Sequence, residues 1–189
     1  MGLGPSGERS LLRRVRALDE AAIGTVFDTY YPLIYRYVYH HVCHRSTAED
    51  LAGEVFIRML EQLAQGRGPK RHLKAWLYRV AFNLIVDDSR RRVHRDHEPL
   101  ADHTMSLEHD IEDQVQRTVL QEQVTAALNA LTPKQRTVVI LRFLEGWSNL
   151  EVSRTLETSV GSVKALLHRG LASMRRHLIS SGAIRDELE

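Results

Sequence analysis

The feature that most limits what this chain can fold into is a run of three capped helix starts between residues 132 and 159. Thr132-Pro133-Lys134-Gln135 supplies an N-cap hydroxyl, a proline at the first helical position and a glutamine that completes a capping box. Ser148-x-x-Glu151 is a second capping box, and Thr158-Ser159 caps a third helix. The spacing predicts a helix carrying Val138, Leu141 and Leu144 that stops at Gly146, then a short helix through Val152 and Leu156. After a turn of about four residues follows a longer helix with the stripe Val163, Leu167, Leu171, Met174 and Leu178. A short helix, a tight turn and a longer basic helix make a helix-turn-helix.

Upstream the periodicity is helical throughout. Leu11, Val15 and Leu18 predict a short helix stopping near Asp19. Ile23, Phe27, Tyr31, Ile34, Val38 and Val42 predict a long one, which Pro32 should kink or divide. A capping box at Ser46-x-x-Glu49 opens a helix through Leu51, Val55, Met59 and Leu63, punctuated by Gly66-Arg67-Gly68-Pro69. A further helix carries Leu73, Trp76, Leu77, Val80 and Leu84 and ends in Arg90-Arg91-Arg92, with Trp76 expected in the core. Aromatic residues are only 6%, which argues against a strand-rich sandwich. The expected fold is all-α, with two small helical domains joined by a flexible acidic linker.

Charge divides the chain in the same way. From residue 70 to 95 it carries Lys70, Arg71, Lys74, Arg79, Arg90, Arg91, Arg92 and Arg95 against Asp87 and Asp88. Residues 96–116 hold Asp96, Glu98, Asp102, Glu108, Asp110, Glu112 and Asp113 with no Lys or Arg. Residues 161–177 return to Lys164, Arg169, Arg175 and Arg176 with no acid. Two basic units separated by an acidic tether fit a nucleic-acid partner, although the net charge of +2 alone would not argue for one. One cysteine, Cys43, leaves no internal disulfide framework and suits a reducing compartment. No apolar run approaches the ~20 residues that cross a bilayer, and the start lacks a signal-peptide pattern, so a cytoplasmic protein without membrane insertion is expected. His40, Cys43 and His44 would share a helical face at i, i+3, i+4, a zinc-compatible spacing. No second ligand cluster stands near them in sequence, so they are read as surface, and neither a metal nor another cofactor is expected.

Two segments resemble the extracytoplasmic-function sigma factors, in the order that family has them. Ala48-Glu49-Asp50-Leu51-Ala52-Gly53-Glu54-Val55-Phe56, then Ala75-Trp76-Leu77-Tyr78-Arg79-Val80-Ala81-Phe82-Asn83, Asp87 and Arg90-Arg91, look like sigma region two. Ala130-Leu131-Thr132-Pro133-Lys134-Gln135-Arg136, then Gly146-Trp147-Ser148-Asn149-Leu150-Glu151-Val152 and Val160-Gly161-Ser162-Val163-Lys164, are similar to region four. The resemblance implies an N-terminal extension over residues 1–20, region two over 21–95, an acidic linker over 96–116, region four over 117–180 and a tail over 181–189. It implies a non-enzymatic subunit that brings core RNA polymerase to promoter DNA, meets its clamp and flap, and is a target for an anti-sigma factor. The rival is a helix-turn-helix regulator acting without polymerase, for which a sensor or dimer-forming N-terminal domain would be expected.

Site residues follow from the same resemblance. Asp50, Leu51, Glu54 and Arg58 would meet the polymerase clamp, with a Glu54–Arg58 pair as the plain alternative. Lys70, Arg71, Lys74, Arg79, Asn83, Asp87, Arg90 and Arg91 would hold and open the minus-ten DNA, the loop 66–71 capturing a flipped base. For Asp87 a pair with Arg90 or Arg91 is the alternative. Ser159, Ser162, Lys164, Ala165, His168 and Arg169 would read the minus-thirty-five element from the major groove, above a core of Val163, Leu167 and Leu171. The chain departs from the family at Gly53, where Gln is usual, and at Ala165-Leu166, where a Ser-Arg pair is usual. The acidic linker would thread the polymerase cleft, or cover the basic faces of the free protein.

Overall fold

Among the described residues, backbone hydrogen bonding is predominantly helical, as the periodicity requires. The computed structural model describes residues 5–95 and 113–184, with side chains over 7–92 and 121–184. Its elements are α1 (Pro5–Arg16), α2 (Glu20–Val42), α3 (Arg45–Ala64), α4 (Leu73–Arg95), α5 (Asp113–Asn129), α6 (Pro133–Val139), a π-helical turn (Ile140–Leu144), α7 (Asn149–Thr155) and α8 (Val160–Ser180). Two compact units result, the first carrying α1 to α4 and the second α5, α6, the π turn, α8 and most of α7. The acidic stretch 96–112 and the tail 185–189 lie outside the described residues, and α5 begins at Asp113, inside the stretch expected as linker.

In the first unit, α2, α3 and α4 pack on one another around Val26, Ile34, Tyr37, Val38, Val55, Met59, Leu73, Leu77 and Tyr78, all within 1% of full burial. The Tyr37 ring lies 4.9 Å from Tyr78 and 4.6 Å from His41, whose Nδ1 is 3.0 Å from the Tyr37 carbonyl oxygen. The N-terminal helix belongs to this unit: Leu11, Leu12 and Val15 are buried, and α1 packs on α2. Leu18 does not join that stripe. It takes φ 57° in the turn after α1 and is 50% exposed.

Asp19 caps α2. Its carboxylate accepts from the Ala22 N–H at 2.8 Å and from Arg14 at 2.9 Å. Arg14 first, then the Ala22 amide, hold the carboxyl below its ordinary value of 3.8. A depressed carboxylate stabilises the fold above its unfolded pKa, so this contribution persists at neutral pH and disappears only in acid, as pH falls through the folded value.

Glu8 ties the ends of the unit together. Its carboxylate accepts from the Leu73 N–H at 2.9 Å, so α1 caps α4 from 65 positions away. Glu8→Ala should therefore destabilise the first unit by about 1 kcal/mol, read as a lower midpoint in urea unfolding.

Several expectations for this unit need correction. Pro32 does not divide α2, which runs unbroken from Glu20 to Val42. The buried face of α2 is Ala22, Val26, Tyr30, Ile34, Tyr37, Val38 and His41, and not the stripe through Ile23, Phe27 and Tyr31. Both registers are apolar here, so period alone cannot choose between them; packing against α3 and α4 does. Phe27 is left 42% exposed, its ring 4.9 Å from Tyr31 and 5.0 Å from Phe56. The cap of α3 is His44, whose ring accepts from the Thr47 N–H, one turn-start before Ser46. Glu49, released from the expected capping box, pairs with Arg45 at 2.9 Å. Trp76 is half-buried at the edge of the core rather than within it.

In the second unit, α8 packs on both α5 and α6. Arg136 fixes α6 to the end of α5, donating to the Leu128 and Asn129 carbonyl oxygens at 2.8 and 2.9 Å. All three expected caps form. Thr132 and Gln135 make a reciprocal box, Ser148 and Glu151 make another, and the Ser159 hydroxyl accepts from the Ser162 N–H at 3.0 Å. The helix expected to run to Gly146 changes character at Ile140, where an i to i+5 bond from the Glu145 N–H closes a π turn. That wider turn shifts the register, burying Ile140, Leu141 and Trp147 while Phe143 and Leu144 stand 61% and 49% exposed. Leu171 is likewise not core but 41% exposed, because Gly170 occupies the position that faces α6.

Candidate nucleic-acid and polymerase interface

The expected clamp residues fall on α3, the minus-ten residues on the α3–α4 loop and α4, and the minus-thirty-five residues at the cap and start of α8, with different burial. On α3, Asp50 is exposed and Leu51 half-buried, about one turn before Glu54 and two before Arg58. Glu54 and Arg58 are paired at 3.0 Å, and each side chain keeps 40% of its exposure. Such a pair is worth a few tenths of a kcal/mol on a helix surface, so both charges remain available to a partner. Gly53 immediately precedes Glu54, and a Cβ added there would meet nothing within 4 Å. The free fold therefore gives no reason for glycine. Gly53→Ala is expected to raise stability by about 1 kcal/mol through helix propensity, measured by thermal unfolding.

The loop between α3 and α4 is set by glycine chemistry. Gly66 at φ 70° ends α3 in a Schellman motif, its N–H bonding to the Leu63 carbonyl and the Arg67 N–H to that of Gln62. Gly68 is buried, and a Cβ there would fall 2.4 Å from Leu63 Cδ2, so a larger residue would require the Leu63 side chain to move. Lys70 and Arg71 then project into solvent. On α4, the Lys74 ammonium lies 5.9 Å from the centre of the Tyr78 ring. Because α4 is one continuous helix, Asn83, Asp87 and Arg90 occupy one face at i, i+4, i+7, with Asn83, Arg90 and Arg91 exposed and Asp87 half-buried. Arg79 stands on the same helix. Asp87 forms no ion pair with Arg90 or Arg91 among the described residues; the pair on this stretch is Asp88–Arg92 at 2.8 Å.

At the start of α8 the Ser159 and Ser162 hydroxyls are 3.0 Å apart and both serve the cap, whereas Lys164, Ala165, His168 and Arg169 point to solvent. Ala165 thus lies on the exposed face, while Leu166 is half-buried. Val163 is fully buried and Leu167 half-buried, as a helix seated on α6 requires.

The metal geometry does not form. α2 ends at Val42, Cys43 turns left-handed at φ 51° and His44 begins the next helix as its cap, so His40, Cys43 and His44 share no helical face. Among the described residues no group of three or more His, Cys, Asp and Glu side chains is placed to hold a metal ion. Also among them, no helix is long and apolar enough to cross a membrane. The sequence reading passed over Glu8 and the arginines Arg9, Arg13 and Arg16 of α1, which stand beside Lys70. Their i, i+4, i+7 spacing was the available signal, but only the fold shows what they face.

Comparisons with known proteins match this division. The Sigma-70 region 2 family model matches residues 26–95, and the Sigma-70, region 4 model matches residues 121–174. The ECF RNA polymerase sigma factor BldN of Streptomyces coelicolor is 33% identical over 171 residues, covering 89% of this chain and 64% of BldN. The ECF RNA polymerase sigma factor SigX of Bacillus subtilis is 31% identical over 177 residues, covering 89% of this chain and 88% of SigX. The chain therefore spans somewhat under two thirds of the length of BldN but most of SigX. Among solved structures, CnrH in complex with the cytosolic domain of CnrY has a similar fold, with a TM-score of 0.65 at 18% identity over 92% of this chain and 97% of that one. RpoE in complex with the anti-sigma factor NepR from Bartonella quintana gives 0.62 at 18% identity over 82% and 95%. With both regions matched in order, and SigX related along nearly its whole length, the chain belongs to the extracytoplasmic-function RNA polymerase sigma factors.

Proposed function

We propose that this sigma factor divides its work between its two units and does no covalent chemistry itself. The α3 face of Asp50, Leu51, Glu54 and Arg58 binds the clamp of core RNA polymerase, and the second unit meets the flap. Lys70, Arg71, Lys74 and Arg79 hold phosphates of the minus-ten region, while Asn83, Asp87, Arg90 and Arg91 act on its bases and strands as they separate. The opening turns of α8 enter the major groove at the minus-thirty-five element, with Ser159 and Ser162 shaping the turn and Lys164, Ala165, His168 and Arg169 facing DNA. Polymerase and promoter place its work in the cytoplasm. An anti-sigma factor is a fitting regulator, because the similar folds of CnrH and RpoE were solved with CnrY and NepR bound.

The observation that carries this reading is the exposure of two separate polar and basic helix faces, Asn83 to Arg91 on α4 and Lys164 to Arg169 on α8, in a chain matched by both sigma regions. A sigma-free bacterial core polymerase mixed with the chain and a randomised promoter library should yield factor-dependent transcripts sharing two upstream elements. DNA binding without any stable complex with core would instead favour the polymerase-independent regulator.

A further inference from the structure

The joint between α2 and α3 carries two competing starts for α3. Cys43 turns left-handed at φ 51°, His44 follows extended at φ −137° and ψ 124°, and the His44 ring caps the helix. Three groups able to donate converge on His44 Nδ1: the Thr47 N–H at 3.4 Å, the Thr47 hydroxyl at 3.1 Å and the Ser46 hydroxyl at 3.2 Å. Two residues on, Ser46 and Glu49 have the spacing of a capping box that the fold leaves unused, Glu49 pairing with Arg45 instead.

An imidazole is an unusual cap, because it accepts only through an unprotonated nitrogen. Once Nδ1 carries a proton, the two hydroxyls can turn and accept from it, but the Thr47 N–H cannot turn and loses its partner. An imidazolium also meets the positive end of the helix, where a cation is disfavoured. A serine cap has neither weakness, and Glu49 would then stand as an anion in the first turn, where the dipole favours one. Moving the start costs the 3.0 Å bond from the Ala48 N–H to the His44 carbonyl oxygen. Ala48 itself is fully buried and keeps the rest of α3 seated. His44, Arg45 and Ser46 are all exposed, so proton and helix end are both free to exchange with solvent.

The other ionisable groups of the joint are few. On α3 they are Arg45 and Glu49, paired at 2.9 Å, with Tyr35 of α2 acting on the Arg45 charge. The last turn of α2 adds Tyr39, His40, His41 and Cys43, and Tyr78 of α4 meets the joint from inside, against Tyr37. His41 is buried, its Nδ1 3.0 Å from the Tyr37 carbonyl oxygen, and is the competing site for a proton.

We propose that His44 and Ser46 are alternative starts of α3 selected by a proton. The unprotonated His44 ring begins the helix at Arg45, and protonation passes the start to Ser46, with Glu49 completing its box. Asp50 lies four residues past Ser46, so the same proton loosens the near end of the clamp face. That consequence rests on the reading of α3 as the clamp-facing helix; the two starts do not.

The test follows the isotope-labelled full chain by NMR from about pH 7.5 to about pH 5.5, which spans the ordinary titration of an imidazole near about 6.5. In the parent, the Cα shifts of Arg45 and Ser46 should lose most of their helical offset on acidification, while those of Glu49 and Asp50 keep theirs. H44N holds an amide oxygen at the cap at either pH and should show no such loss. S46A should match the parent at the upper pH and, lacking the second cap, unravel as far as Glu49 at the lower. Unchanged Arg45 and Ser46 shifts in the parent would sink the proposal. So would an equal loss in H44N, which places the proton on His40 or His41. S46A behaving like the parent at both pH values means that acid only frays the helix, and the second start is refuted. Titration of labelled core reads the consequence: on acidification the parent should lose about threefold more affinity than H44N. Equal losses overturn the link to the clamp face. A parent that binds no core at either pH, with the shifts moving as expected, refutes the sigma reading and leaves the two starts standing.

Discussion

Replacing Gly170 by leucine is expected to cost the second unit about 2 to 3 kcal/mol and to lower its unfolding temperature by on the order of 10 °C. Gly170 is buried where α8 crosses α6, and an added Cβ would already stand 3.3 Å from Val139 Cγ2 and 3.5 Å from Gln135 Cβ. A leucine must push the two helices apart or force Val139 off its rotamer, and Val139 is itself 5% exposed with little room to move. Gly170→Ala is the sensitive control. Its methyl meets the same tight contact, but a helix interior gains about 1 kcal/mol when glycine becomes alanine, so the two effects nearly cancel. Urea unfolding of both variants checks this; equal stability for the leucine variant and the parent would mean that α6 and α8 do not approach as described. The functional consequence follows from geometry. His168 and Arg169 flank this crossing on α8, so the leucine variant should also lose duplex DNA binding at temperatures where the rest of the chain is still folded.

The helices of this chain were legible where their causes are local. The caps at Thr132, Ser148 and Ser159 formed as expected because a hydroxyl and the amide two or three residues on need nothing else from the fold. Ser46 failed for an equally local reason: His44, two residues earlier, supplies a ring nitrogen to the Thr47 amide, and the helix starts there. What the sequence could not rank were choices settled by packing. In α2 two apolar registers lie one residue apart, and only α3 and α4 decide that Val26 and Tyr30 go inside while Phe27 stays out. The π turn moves Leu144 from the stripe to the surface for want of any sequence signal at Ile140. The Glu8–Leu73 bond joins residues 65 positions apart, which no window along the chain can see.

The site was legible as a set of surfaces and much less as a set of contacts. Spacing alone placed Asn83, Asp87 and Arg90 on one face, and a continuous α4 keeps them there. Partners are a different matter, because a charged side chain chooses among several neighbours within reach. Asp88 rather than Asp87 takes an arginine, leaving Asp87 without a competing pair to Arg90 or Arg91 among the described residues. Glu54, by contrast, does take Arg58. That pairing makes α3 the sharpest place to separate a structural charge from a binding one.

Glu54→Arg is expected to weaken the complex with core polymerase by roughly a hundredfold to a thousandfold while leaving the fold nearly unchanged. Within the free chain the reversal replaces one exposed pair by two like charges at i, i+4, a loss of about 0.5 kcal/mol. Across a desolvated interface the same reversal sets a cation where the partner expects an anion, and like-charge juxtaposition there costs several kcal/mol, about 3 to 4 for the range given. The double variant E54R/R58E isolates the two roles. It restores an intrahelical pair, although in the less favourable order along the helix, so its stability should return close to that of the parent. On the proposed clamp contact its affinity for core should stay low, because the partner would still meet the charges in exchanged places. Titration of labelled core with each variant reads the affinity, and urea unfolding reads the fold. If the swap recovers binding together with stability, Glu54 and Arg58 serve only each other; if stability returns alone, their order along α3 is what the polymerase recognises.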